Sequence, residues 1–338
     1  GKSAQFPLHE WLPEAMAGPT SVSALIHAAT MVKAGVYLVA RISPVFYIGA
    51  YLLHLEEARM FFIAIAMVGA FTTFLAASQA VVSVELKKIL AYSTVSQIGY
   101  MMLGLGLSGL TEEAYIAGLT AGIFHLMSHA LFKAALFLGA GSVIHAIHSI
   151  YTFDMGGLKK YMPKTYWLMV LATLSLTGFP PFSGFWSKDA VFIAALLAGT
   201  PLAYLLLAIG GISAALTMAY SIRYIWLTFE ADESKHVQDL EHHGHPPHEA
   251  PIAMWGSVAV LVVVMLAISG LGLVGQFSEG LNPEIFIEHQ VHHALHEIMP
   301  HEVELHVPHI DMELKSRAWG LSALLLGVGI YAGRTYWW

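Results

Sequence analysis

The run Phe124-His125-Leu126-Met127-Ser128-His129-Ala130-Leu131-Phe132-Lys133 sets two imidazoles and one amine four residues apart. At 3.6 residues per turn, this spacing lines a single stripe of one helix. Residues 114–147 carry no charged residue except Lys133, which stands nineteen residues from one end of the stretch and fourteen from the other. Snorkelling over that depth is difficult. An ionisable group inside a bilayer costs at least ~2.5–3.5 kcal/mol on insertion scales, so it defaults to a functional hypothesis. Three readings compete. The histidines could be satisfied core residues beside a snorkelling lysine, a zinc-binding His pair, or steps in a proton or ion relay. A cation one turn further on, and the lack of a nearby carboxylate, speak against the metal. The relay is the favoured reading. Burial disfavours the charged forms of amines and imidazoles, and neighbouring cations disfavour them further. Such groups can exchange protons near neutral pH, with water bridging the gaps.

Phe179-Pro180-Pro181-Phe182-Ser183-Gly184-Phe185-Trp186-Ser187-Lys188-Asp189 is the second signal. Two prolines inside the uncharged window 165–187 break a helix and free backbone carbonyls. In a membrane such a break is tolerated only where it is buried in protein or lines a wet cavity. Movement of Asp189 toward or away from Lys188 would switch the proton affinity of the lysine without a redox cofactor. The bland alternative is a kink with an interfacial lysine at its end. Lys2, Pro7 and Pro13 form a weaker echo, and two broken segments in corresponding places point to internal repeats, a transporter trait. His27, in Leu25-Ile26-His27-Ala28-Ala29, places another imidazole in an apolar span. Alone it reads more often as a core residue. Lys33 falls about 240° around the helix from it and receives no role.

The elements that position these groups follow from composition. Of 338 residues, 57% are hydrophobic and 12% charged, and the mean hydropathy is +0.64. Soluble domains carry about 25% charged residues. A water-soluble enzyme, a disordered chain and a fibrous chain are excluded, which leaves a polytopic membrane protein. Zero cysteines exclude thiolate-bound iron–sulfur clusters, Cys-ligated zinc, disulfides and thiol catalysis within the chain. The net charge of −7 is unevenly placed. Residues 230–249 hold six acids against one base, and residues 276–317 hold eight against two, so the remaining body carries 13 bases against 9 acids. This balance gives nucleic acid no footing as a partner.

Windows 60–84, 89–111, 165–187, 193–222 and 251–273 lack any Asp, Glu, Lys or Arg. With 20–54, 114–147 and 318–338 they predict about eight helical spans of about 20 residues. The last ends in Tyr336-Trp337-Trp338, suited to an interfacial belt. Residues 1–17 are expected to form half of a broken helix. The loops with Lys87 and Lys88 and with Lys159, Lys160 and Lys164 lie two spans apart and share a side, the cytoplasmic one by the positive-inside rule, with Glu112 and Glu113 opposite. Residues 236–248 and 289–309 are rich in histidine. Although His289, His292, His293 and His296 fall at helical spacing, the expectation is solvated acidic and imidazole-rich loops without a fixed metal signature.

GKSAQFPLHEWLPEAMAGPTSVSALIHAATM, KKILAYSTVSQIGYMMLGLG, FHLMSHALFKAALFL and GFWSKD together resemble the L-type antiporter-like subunit of respiratory complex I, the proton-translocating NADH–quinone oxidoreductase. They are similar also to the A subunit of multisubunit Na+/H+ antiporters. The match runs to about residue 230. The resemblance implies an all-α membrane fold of inverted five-helix repeats, each with one discontinuous helix. Residues 1–54 would close the first repeat, 55–230 form the second, 231–250 an acidic His-rich loop, and 251–338 additional C-terminal spans with a second such loop at 274–316. It further implies that Lys2, His27, His125, His129, Lys133 and Lys188, with Asp189 beside it, form the proton path, and that Glu85 partners Lys87 and Lys88. Flavin, iron–sulfur clusters and quinone would lie in partner subunits, with no cofactor or metal in this chain. The expected partners are other membrane-arm subunits, especially a neighbouring antiporter-like one, and the bilayer, most simply the bacterial plasma membrane. The family's membrane glutamate upstream of GKSAQ and its long lateral helix are missing, so the expectation is a fragment that cannot form the whole channel.

Overall fold

The computed structural model describes residues 1–300, 303, 305–308 and 310–337, with side chains at 279, 336 and 337 excepted. His301, His309 and the aromatic side chains of the final three residues therefore lie outside the described residues. The named elements are helical throughout.

The chain opens in turns from Gly1 to Glu10, followed by α1 (Trp11–Glu14) and a 3-10 turn. The expected half-helix over residues 1–17 is thus reduced to seven helical residues, Trp11 to Ala17. Pro7 lacks an N–H and disfavours helix in the residue before it, so the segment Gly1–Glu10 runs as turns. Next comes α2 (Thr20–Ala24), which widens into a π-turn over Leu25–Ala29. After a break at Thr30 (φ −125°, ψ −89°) and a 3-10 turn, α3 (Ala34–Tyr47) continues into a second π-turn. The window 20–54 is therefore one interrupted span.

Three long helices follow: α4 (Glu56–Val82), α5 (Leu86–Leu107) and α6 (Tyr115–Ile147). Glycine lets α4 and α5 touch backbone to backbone. A Cβ on Gly106 would lie 2.2 Å from the Ala66 nitrogen, and one on Gly99 would lie 2.7 Å from the Gly69 oxygen. Close approach of this kind replaces the hydrophobic drive that lipid cannot supply.

The window 165–187 is where the structure departs most from a hydropathy reading. Instead of one span it holds α7 (Pro163–Thr177) and the first turns of α8 (Ser183–Ala198). Pro163 starts α7 at a position whose N–H would be orphaned anyway. Gly178 ends it in the left-handed region at φ +78°, where the Phe179 N–H donates back to the Leu174 carbonyl at 3.0 Å. Pro180 and Pro181 then prevent resumption until Ser183. Thr200, whose side chain accepts from the Ala203 N–H at 3.1 Å, caps α9 (Pro201–Ile225).

A short α10 (Lys235–His242) lies in the first His-rich segment, α11 (Ile252–Val274) is the most apolar helix, and α12 (Pro283–Ile298) and α13 (Met312–Trp337) complete the chain. Both His-rich segments were expected as loops, and both contain helix. In α12, Ile287, Val291 and Leu295 recur every fourth residue and are buried while His289, His292, His293 and His296 face outward or partly so. The apolar stripe on that helix outweighs the histidines as a fold signal.

Among the described residues, five helical segments are long and apolar enough to cross a membrane: Thr20–Leu52, Glu56–Val82, Tyr115–Ile147, Pro201–His242 and Ile252–Val274. Backbone bonds from Leu86 N to Ile150 O (2.9 Å) and from Thr152 N to Val84 O (2.9 Å) tie the start of α5 to the loop after α6. That contact puts Lys88 and the Lys159–Lys160 loop at the same end of the bundle, and the α5–α6 turn with Glu112 and Glu113 at the other. The Lys159 ammonium donates to Glu230 at 3.2 Å, and this carboxylate holds it above its ordinary pKa range.

Candidate functional site: a buried row of amines and imidazoles

The site is built on α6. His125, His129 and Lys133 are all wholly inaccessible, as the four-residue spacing requires of a stripe turned into the bundle. The Lys133 ammonium donates to Ser93 Oγ on α5 at 2.6 Å. His125 Nδ1 pairs with Ser187 Oγ on α8 at 2.9 Å, and the two imidazole rings stand 6.5 Å apart. His125 Nε2 and both ring nitrogens of His129 meet no hydrogen-bonding partner in the protein. A buried polar group left so costs about 1–3 kcal/mol, so each one calls for an explanation.

At one end of the row stands the broken helix. Lys188, in the second turn of α8, donates to the Leu176 carbonyl at 2.7 Å, one of the carbonyls freed where α7 stops. The amine thus sits at the negative end of the α7 dipole. Its Nζ also lies 5.3 Å from the centre of the Tyr100 ring, which in turn meets the His125 ring edge-on at 6.1 Å. Serines line the break. Ser183 Oγ accepts from Ser128 Oγ at 2.8 Å and pairs with Ser175 Oγ at 3.0 Å, while its N–H donates to Ser269 Oγ at 2.8 Å. Gly184 is obligatory, since a Cβ there would fall 1.7 Å from the Ser175 carbonyl oxygen.

At the other end, His27 lies in the π-turn after α2 with its ring 4.7 Å from Phe137 of α6, fully buried, and both nitrogens unpaired. Lys33 also joins the row, nearer its His125 end. It is 6% exposed and donates to the Leu126 carbonyl of α6 at 2.7 Å. Sequence reasoning passed it over because an angle of about 240° from His27 assumes one regular helix, whereas the chain breaks at Thr30 between them. A lysine in an apolar window was the available signal.

Lys2 is exposed among the opening turns, beside Ser3, whose hydroxyl donates to the Val32 carbonyl at 2.6 Å. Asp189 does not pair with Lys188. Successive residues on a helix point about 100° apart, so Asp189 turns toward α13 and accepts from Ser322 Oγ at 3.4 Å. Of the lysines expected beside Glu85, Lys88 pairs with it at 2.6 Å, but Lys87 is buried and donates to the Met16 (2.5 Å) and Gly18 (2.6 Å) carbonyls. Among the described residues, none of Lys33, Lys133 and Lys188 has an ion-pair partner, and no three His, Asp or Glu side chains gather in a form able to hold a metal.

The described residues form a helical membrane bundle with a broken helix and a buried row of bases. The family described as "NADH:quinone oxidoreductase/Mrp antiporter, TM" matches residues 1–217, and the chain belongs to it as a multi-pass membrane protein. It is 44% identical over 295 residues to NAD(P)H-quinone oxidoreductase chain 5 of Picosynechococcus sp., covering 80% of this chain and 41% of the relative. It is 40% identical over 337 residues to NADH-quinone oxidoreductase subunit L of Rickettsia conorii, covering 99% and 46%. The chain therefore spans less than half the length of these relatives. Among solved structures, a chain of the Mrp complex from Dietzia sp. superposes with a TM-score of 0.75 at 30% identity, over 99% of this chain and 32% of that one. A chain of the archaeal membrane-bound sulfane sulfur reductase gives 0.65 at 29% identity, over 80% and 42%.

Proposed function

We propose that this chain forms part of a proton-translocating membrane-arm subunit of an NADH–quinone oxidoreductase. Protons pass along the buried row from His27 through Lys133, His129 and His125 to Lys188, with Lys33 beside the His125–His129 stretch, by hydrogen bonds that re-form through intervening hydroxyls and water. Asp189 faces the α13 side and governs exchange with one bulk phase. Lys2 is given no step. The chain itself moves no electrons: flavin, iron–sulfur clusters and quinone are assigned to partner subunits, and a neighbouring antiporter-like subunit in an energy-transducing membrane such as the bacterial plasma membrane completes the path. Residues 1–54 then represent the end of one repeat and 55–230 a second repeat, with the α7–α8 break as its discontinuous helix. The observation that carries this reading is the set of fully buried nitrogens on α6 whose partners are neutral hydroxyls or none. That arrangement suits proton transfer better than charge storage.

The test is Lys133→Ala in the full-length chain of the assembled complex, with proton pumping and NADH oxidation measured together. Pumping is expected to be lost. An unchanged number of protons per electron would refute the relay. A second reading, a subunit of a multisubunit Na+/H+ antiporter, is favoured by the 99% coverage of this chain in the Mrp superposition. Dependence of transport on Na+ in the absence of NADH would select it.

A further inference from the structure

Gln97 is a neutral residue on α5 that is wholly buried, with neither its amide nitrogen nor its amide oxygen bonded to anything in the protein. A primary amide has two donors and an acceptor to satisfy, so an isolated one in a bundle core is uncommon. Its position explains it. Ser93, Gln97 and Tyr100 recur at intervals of four and three residues and share one face of α5. Ser93 meets Lys133, and Tyr100 meets His125. The two helices run antiparallel, and their register is pinned further along, where a Cβ on Gly104 would lie 3.2 Å from the Gly122 nitrogen and one on Gly118 would lie 2.6 Å from Ser108. Gln97 is therefore level with the part of α6 between His125 and Lys133, which is where His129 stands with both of its nitrogens unpaired. Four buried polar atoms without protein partners, two from the amide and two from the imidazole, occupy one level of the bundle.

We propose that Gln97 is a positioning residue of the proton row, acting on His129. This inference rests on the relay reading above. An amide neither gains nor loses a proton here, but it can donate with one atom and accept with the other. Directly or through one intervening water, it holds the imidazole in the tautomer and ring orientation that receive a proton from the Lys133 side and pass it to the His125 side. Without it, His129 must find that orientation by chance at each transfer.

The experiment uses the assembled complex carrying the full-length chain in membrane vesicles, with pumping normalised to the amount of complex. Gln97→Met keeps the length and removes the hydrogen bonds, whereas Gln97→Asn keeps the amide's donor and acceptor on a shorter stem. Q97M is expected to lower pumping about tenfold or more through lost proton transfer, and Q97N, which retains the amide, to pump faster than Q97M. The ratio of pumping rates in H2O and D2O should rise in Q97M, because proton transfer becomes limiting, a change that a packing defect does not produce. Pumping in Q97M within about twofold of the parent, or an unchanged isotope ratio, overturns the proposal. If Q97M does not assemble, Gln97→Ala replaces it under the same criteria. Failure of both to assemble also overturns the proposal, since the amide is then a packing requirement. K133A is run alongside: pumping lost in K133A but kept in Q97M refutes the role of Gln97 alone, and pumping kept in both refutes the relay.

Discussion

Lys188 and Asp189 are neighbours in sequence and strangers in space, and that separation has measurable consequences. The amine lies against the Leu176 carbonyl and the Tyr100 ring, while the carboxylate lies against Ser322. Side chains about 7–10 Å or more apart with no shared partner usually act additively, and these two leave α8 in different directions. The effects of Lys188→Ala and Asp189→Asn on pumping are therefore expected to multiply in the double variant, within about 0.5 kcal/mol of transition-state energy. A double variant no worse than the more damaging single one would show the pair acting as a unit. Lys33 invites a parallel prediction. Its substitution by Ala should lower pumping, whereas Lys88→Ala should leave it near the parent level, because Lys88 is a part-exposed partner of Glu85 at the rim and surface pairs contribute about 0–1 kcal/mol. Pumping assayed on both variants at equal amounts of complex decides this. At this scale the sequence was legible where side-chain type and spacing suffice, as for His125, His129 and Lys133. It was silent where backbone direction decides: the turn of Asp189 away from its neighbour, and the break at Thr30 that brings Lys33 inward.

Helices in lipid associate through shape, and the interfaces here turn on glycine. Gly184→Ala would drive a methyl group into the Ser175 carbonyl, the contact that holds the two halves of the broken helix together, and Gly106→Ala would do the same between α5 and α4. Each is expected to destabilise the complex by at least the ~1–3 kcal/mol typical of overpacking. Gly327→Ala, on α13 with nothing within 4 Å of the new methyl, should change stability by less than about 0.5 kcal/mol. Thermal inactivation of pumping in the three variants ranks them, and equal behaviour of G184A and G327A would contradict the interface. Two prolines in an uncharged window announced the α7–α8 break, but a hydropathy window averages across it, so the boundaries of two half-helices were read as one span. The same averaging hid the helix in the His-rich segment of residues 283–298, where Ile287, Val291 and Leu295 matter more than the histidines between them.

The bundle as a whole has two unlike ends. Lys88, Lys159, Lys160 and Lys164 crowd one, and Glu112 and Glu113 mark the other. The charges alone predicted that division, and the pairing of residues 84–86 with 150–152 gives it a structural cause. Because these 338 residues contain no cysteine, Lys160→Cys and Glu112→Cys each create a single thiol within them. A membrane-impermeant maleimide is expected to label the two variants from opposite faces of the bilayer, Lys160→Cys from the cytoplasmic one. Labelling of both from the same face would overturn the arrangement.

A row made only of nitrogen bases has no resident negative charge to offset what it carries. The rings of His125 and His129 stand 6.5 Å apart. Two simultaneous positive charges at that separation repel by about 2.5 kcal/mol at an effective dielectric of about 20, roughly a seventyfold penalty on double loading. On the proposed relay, the passage would thereby be restricted to one traveller per segment: the next could board only after the first had moved on. Throughput would then be metered by clearance rather than by supply, with no moving gate required.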